Sequence, residues 1–225
     1  MRDSKVIQTV AVAATLGAVA AMLITRGGLG PGLNPAPHRA VGAELARQAV
    51  AQWQPGGEIM VITRDTTTFP SPATDLLMAS FQRELDREHA RLSAVQTLPV
   101  DPLRRLEVPA GDFQRWIHHA TNGDVIVSLL GPPVLTAAQA QELGEIRPAI
   151  VAFCPGNPPD PNDLRALFAD GLLRAAIVSR REPASGAANP KTPQAWFDQN
   201  YTVVTATNVE AFATAAGKPP AASPP

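Results

Sequence analysis

Six short apolar runs, each followed by a stretch with helix punctuation, constrain this chain more than any other feature. They are residues 59–63 (IMVIT), 94–100, 125–130 (VIVSLL), 149–153 (AIVAF), 175–179 (AAIVS) and 201–205 (YTVVT). Several are apolar at consecutive positions. Both of their faces then need cover, as in a parallel sheet lying between helices.

The intervening stretches supply those helices. Val41, Leu45, Ala49 and Trp53 stripe one helix face ahead of the first run. Ser71-Pro72 reads as an N-cap followed by proline at the first helical position, and Leu77, Phe81 and Leu85 then recur every four residues. Asp112 is placed to cap a helix carrying Phe113, Trp116, Ile117 and Ala120 on one side, with Gly123 as its stop. Thr136 and Gln139 have capping-box spacing. Asp160-Pro161 opens a helix with Leu164, Leu167 and Phe168 inward and Gly171 at its end. The alternation predicts an α/β fold: a doubly wound, mainly parallel sheet of six strands with helices on both faces, joined by right-handed crossovers. Ile59, Val61, Val125, Val127, Ile150, Val151 and Ile177 are its expected central residues.

Ahead of this domain lies a different kind of segment. Residues 6–25, from Val6 to Thr25, carry no charge. A helix of about 20 residues is roughly 30 Å long, the thickness of a bilayer's hydrocarbon core. One N-terminal transmembrane helix is therefore expected. A basic start and an apolar run also describe a secretory signal peptide. The length of the run, and the burial of its small-residue site Ala18-Val19-Ala20 inside it, favour an uncleaved anchor. Arg2 and Lys5 before the span lean the N-terminus toward the cytoplasm. The globular domain then falls on the periplasmic side of a bacterial inner membrane, and the lipid bilayer is the first expected partner. The expected organisation is an anchor at residues 1–26, a glycine- and proline-rich linker at 27–37, an α/β domain at 38–216 and a proline-rich tail at 217–225.

Composition excludes several function classes. The net charge is −1, so no basic surface argues for nucleic acid. Cys154 is the single cysteine, which precludes an internal disulfide and a cysteine-based metal cluster. It ends the apolar run AIVAFC and reads as a half-buried thiol. His118 and His119 are adjacent, so on a helix they point about 100° apart and do not share a metal. Ser128 lies within a strand run, Ser179 precedes two arginines, and Glu84 with Glu88 falls on a charged helix face. No catalytic residue, metal ligand or cofactor is assigned.

Residues 58–181 resemble one lobe of the type I periplasmic sugar-binding and LacI-type regulator family. The resemblance is carried by GEIMVITRDTTTFPSPATDLLMASFQRELDREH, by DFQRWIHHATNGDVIVSLLGPP and by RPAIVAFCPG. Asp65 and Phe69 occupy the loop after the first strand, and Asn122-Gly123-Asp124 precedes the VIV strand as in that family. The resemblance implies solute binding between two lobes, and this chain has room for one. A ligand would meet the loops at the strand carboxyl ends. Those loops hold Arg64, Asp65, Thr66 and Phe69, then Asp101 and Arg104, Gly131 to Pro133, Cys154 and Asn157, and Arg180 and Arg181. Of these, Arg64, Asp65, Thr66, Phe69 and Arg180 are the candidate ligand-binding residues.

One jaw of a clamp does not enclose a small ligand. The favoured expectation is therefore a non-catalytic accessory or docking subunit of a respiratory, photosynthetic or transport complex. The alternative is a membrane-anchored periplasmic solute-binding or sensor protein for a small polar ligand.

Overall fold

Burial of the apolar runs sets the architecture. The computed structural model describes residues 33–99, 107–156, 159–180 and 190–217. In chain order these form α1 (Pro35–Gln52), β1 (Ile59–Arg64), α2 (Pro72–Arg87), β2 (Leu92–Leu98), α3 (Ala110–His119), β3 (Val125–Ser128), α4 (Ala137–Glu142), β4 (Ala149–Cys154), α5 (Pro161–Ala169), β5 (Leu173–Ser179), α6 (Pro193–Asn200), β6 (Tyr201–Val204) and α7 (Val209–Gly217). The chain divides between Asn34 and Pro35 into two compact units, and every one of these elements lies in the second. The expected span at residues 6–25 and most of the linker and tail lie outside the described residues. Among the described residues no helix is long and apolar enough to cross a membrane.

The six strands form one sheet in the order β2-β1-β3-β4-β5-β6. All neighbours are parallel except β5 and β6, where Ile177 faces Val203 in antiparallel register. Helices cover both faces, as a buried parallel sheet requires. On one face α1, α2 and α6 pack Leu45, Phe81, Leu85 and Phe197 over Ile59, Val61, Val127 and Ile177. On the other, α3, α5 and α7 pack Phe113, Ile117, Leu164 and Val209 over Ile62, Ile126, Ile150 and Val178. All seven expected central residues are fully buried, at 0% exposure.

Close helix packing depends on one glycine in α1. A Cβ on Gly42 would collide with the Leu77 carbonyl of α2, so only glycine lets the two helices approach this far. The Ser80 hydroxyl donates to the Arg39 carbonyl across the same contact at 2.8 Å.

Most helix starts follow the expected caps. Ser71 Oγ accepts the Thr74 N–H, Thr136 and Gln139 form a reciprocal capping box, and Asp160 accepts the Asn162 N–H. Gly171 follows α5 with φ +69°, as a left-handed stop.

Several boundaries differ from the sequence reading. Asp112 is not the cap of α3, which starts at Ala110 after Pro109 and has no side-chain cap. Asp112 sits in the first turn and binds Arg115 at 2.7 Å, where a carboxylate also favours the helix N-terminus. Gly123 does not end α3, whose cap is Ala120; it belongs to the turn into β3. Strand β2 opens two residues earlier than the apolar run, because an edge strand needs cover on one face and tolerates Ser93. Pro35 to Pro37, read as linker, form the first turn of α1, where a missing N–H costs no helical hydrogen bond.

Candidate functional site

Strand order reverses between β1 and β3. The loops leaving their carboxyl ends flank the crevice where open α/β sheets take up ligands. The geometry there is built from β1. Asp65 N–H donates to the Leu98 carbonyl at 2.7 Å, extending the β1–β2 ladder one residue into the loop. The Asp65 carboxylate then accepts the Thr67 N–H at 2.8 Å, closing an Asx-turn. The Thr67 backbone and hydroxyl hydrogen bonds hold the Asp65 pKa below the usual carboxylate value. Residues 65–71 lead from this turn to the Ser71 cap of α2, with the Phe69 ring 47% exposed.

The adjacent loop leaves β3. Leu129 N–H donates to the Ile62 carbonyl at 2.9 Å, so this loop departs directly beside β1. Gly131 turns the chain at φ +98°, a left-handed conformation that glycine adopts freely. Val134 follows at 57% exposure.

Among the described residues, two buried polar atoms at the end of β1 have no hydrogen-bond partner. The Thr63 hydroxyl and the Arg64 Nε are both buried without a hydrogen bond. Burying a hydroxyl in this way costs about 1–3 kcal/mol, which is why most buried polar groups are paired.

The sequence-derived candidates do not form one cluster. Arg64, Asp65, Thr66 and Phe69 are gathered at the end of β1. Arg180 follows β5, three inter-strand spacings or about 14 Å across the sheet. Its Nε donates to the Asp198 and Tyr201 carbonyls at 3.1 and 2.9 Å, tying β5 to the α6–β6 junction. Asp101, Arg104, Asn157 and Arg181 lie outside the described residues. Thr63 and Val134 were missed by the sequence reading. Thr63 is a polar residue closing an apolar run, and Val134 is an apolar residue in a loop, after two prolines and before Leu135.

The remaining candidates have structural surroundings. Cys154 is buried at the end of β4, and burial pushes its thiol up to about 12, far from a nucleophilic thiolate at neutral pH. Ser128 is fully buried, with its Oγ accepting the Leu130 N–H at 3.3 Å. His119 Nδ1 lies 2.8 Å from the Arg115 carbonyl. Among the described residues no three metal-ligating side chains converge.

No protein-family model matches the chain, and no curated protein matches it. Solved structures do. An ABC-transporter solute-binding protein from Burkholderia graminis, in complex with D-arabinose, is 17% identical with a TM-score of 0.44; the match covers 78% of this chain and 61% of that one. A sugar-binding protein of a Bacillus halodurans sugar ABC transporter is 14% identical at TM-score 0.46, covering 78% and 64%. An arabinose-binding protein from Geobacillus stearothermophilus is 14% identical at TM-score 0.45, covering 80% and 63%. This chain therefore spans less than two thirds of the length of the structures it is similar to, and the likeness is one of fold.

Proposed function

We propose that this is a non-catalytic, membrane-tethered α/β protein that docks onto other subunits of a membrane complex through the carboxyl edge of its sheet. The observation behind this reading is the pair of exposed apolar side chains, Phe69 and Val134, in the loops leaving adjacent strands β1 and β3. Of the polar groups at this edge, Asp65 is engaged by Thr67. What this edge offers a partner is apolar contact through Phe69 and Val134.

The course of α1 agrees with this reading. Its last turn lies at the amino ends of the strands, where Gln54 N–H donates to the Gly123 carbonyl. Its first turn therefore points to the carboxyl end. The uncharged residues 6–25 supply the tether in this proposal. Confinement to a membrane raises the effective concentration of the domain near its partners.

A second reading has its own observation. The Thr63 hydroxyl and Arg64 Nε at the end of β1 are unpartnered, and in this reading a small polar ligand supplies a partner to one of them. In that reading the protein is a membrane-anchored solute-binding or sensor protein on the periplasmic side, with a second jaw supplied by another chain.

Purification from native membranes in mild detergent separates the two. The docking reading expects a stable larger assembly, lost on combining Phe69→Ser with Val134→Ser and kept on combining Arg64→Ala with Asp65→Ala. A lone protein whose melting temperature rises with a sugar or other polar solute, and loses that response on Arg64→Ala, overturns docking in favour of solute binding. Recovery of the full-length chain from the soluble fraction, or its release by carbonate washing, would overturn the tether.

A further inference from the structure

A groove opens at the other end of the sheet, between α3 and the amino-terminal halves of β1, β2 and β3. Its volume is about 390 Å³, within the range of small-molecule sites. Met60, Ala94 and Ile126 form an apolar floor, and Trp116 of α3 forms a wall. Gln96 of β2 adds a carboxamide.

The charged groups around this groove already have partners or stand in water. Asp124 accepts the Glu58 N–H on Oδ1 at 2.7 Å and the Thr121 N–H on Oδ2 at 2.6 Å. Arg115 donates to Asp112 at 2.7 Å and lies over the Trp116 ring, 6.0 Å from its centroid. His119 contacts the Arg115 carbonyl through Nδ1. The Glu58 side chain is exposed to solvent. Two neutral polar groups also line the groove. The half-buried Gln96 carboxamide and Trp116 indole N–H have no hydrogen-bond partner among the described residues.

We propose that this groove binds a small, neutral, planar ring with an amide edge, the chemistry shared by nucleobases and lactams. The flat ring covers the apolar floor beside Trp116. Its carbonyl accepts from the indole N–H, and its N–H and C=O pair reciprocally with the Gln96 carboxamide. The Glu58 and Asp124 carboxylates beside the groove disfavour an anionic ring, and a cationic amidine has no acceptor to offer the indole N–H. This site is at the amino ends of the strands, so it stands or falls independently of docking at the carboxyl edge.

The test is calorimetric titration of the full-length protein in mild detergent with uracil, adenine and 2-pyrrolidinone, with benzoate and benzamidine as charged rings. The expected result is saturable binding of at least one neutral ring. Gln96→Ala should weaken it about tenfold, and so should Trp116→Phe, which keeps the apolar wall and removes the N–H. Combining Phe69→Ser with Val134→Ser should leave it unchanged. The proposal is overturned if no neutral ring saturates, if benzoate or benzamidine binds as tightly, or if Gln96→Ala leaves the affinity intact. Gln96 is half-buried on an edge strand, so its truncation should leave the melting temperature near that of the parent and keep the titration decisive even if Trp116→Phe proves unstable.

Discussion

Asp124 ties the start of β3 to the start of β1: its Oδ1 accepts the Glu58 N–H at 2.7 Å while Oδ2 accepts the Thr121 N–H at 2.6 Å. The aspartate at this strand entry, one of the residues that carries the family resemblance, thus has a local structural reason to be there. Asp124→Ala leaves two backbone donors unpaired and should destabilise the domain by about 1–3 kcal/mol. Asp124→Asn keeps an acceptor for one of them and should cost less. Urea denaturation of the three proteins measures this ranking, and equal stability of Asp124→Ala and parent would contradict it.

Val125 follows directly and is fully buried in the centre of the sheet. Val125→Asp places an unpaired charge there, at a cost of several kcal/mol, comparable with the stability of a whole domain. The variant should not fold. Val95→Asp, on the exposed side of edge strand β2, should fold normally. Circular dichroism and thermal melts distinguish the pair, and a cooperatively melting Val125→Asp protein would mean the sheet is not built as described.

The Cys154 thiol gives a pH dependence of known sign. Its pKa rises from 9.0 to about 12 on burial, so the folded state holds the proton where the unfolded chain releases it. Stability from this group is intact below pH 9 and falls as the pH climbs from there toward 12. Cys154→Ala should flatten that alkaline decline. Iodoacetamide at pH 8 should label the native protein far more slowly than the urea-unfolded one, and equal labelling rates would show an accessible thiol.

If the protein is a docking subunit, segments should matter as well as loops. Extended proline-rich chain loses less entropy on binding than flexible chain does. Removing residues 218–225, or replacing residues 27–34 with a flexible linker of equal length, should therefore weaken assembly. Arg180→Ala should loosen the β5–β6 junction without abolishing partner capture. Pull-down from native membranes reports each effect. Capture that survives tail removal and linker replacement, yet fails on Asp65→Ala, would support solute binding or sensing.

The layered architecture was legible because both-sided burial leaves its mark on residues such as Val125, Ile126 and Val127. Caps at Ser71, Thr136 and Asp160 were legible because their chemistry is local. The antiparallel direction of β6 was not, since a four-residue run such as Tyr201–Val204 is consistent with either pairing. Asp112 misled because an acidic residue suits the first turn of a helix as well as its cap. At the candidate site, Arg64, Asp65 and Phe69 were found from their place after a strand. That Arg180 stands apart from them was not legible, because only the folded chain shows its Nε donating to carbonyls of α6 and β6. The groove beside Trp116 left no trace in sequence: Met60, Ala94, Gln96 and Trp116 sit on separate elements with no shared spacing.

Strand β2 carries no charged side chain from Leu92 to Leu98, and it lies at the margin of the sheet with one side unpaired by any other strand. Its register against β1 skips at Ser93, with Ile59 opposite Leu92 and Met60 opposite Ala94, and the Ser93 hydroxyl donates to the Ile59 carbonyl at 2.8 Å. One extra residue bends such a strand and interrupts its ladder. A straight, uncharged margin would invite the backbone of another chain and seed aggregation. Here the offset at Ser93 breaks the regular ladder at one end of β2, while Arg91 before the strand and Pro99 after it bound the uncharged margin between them.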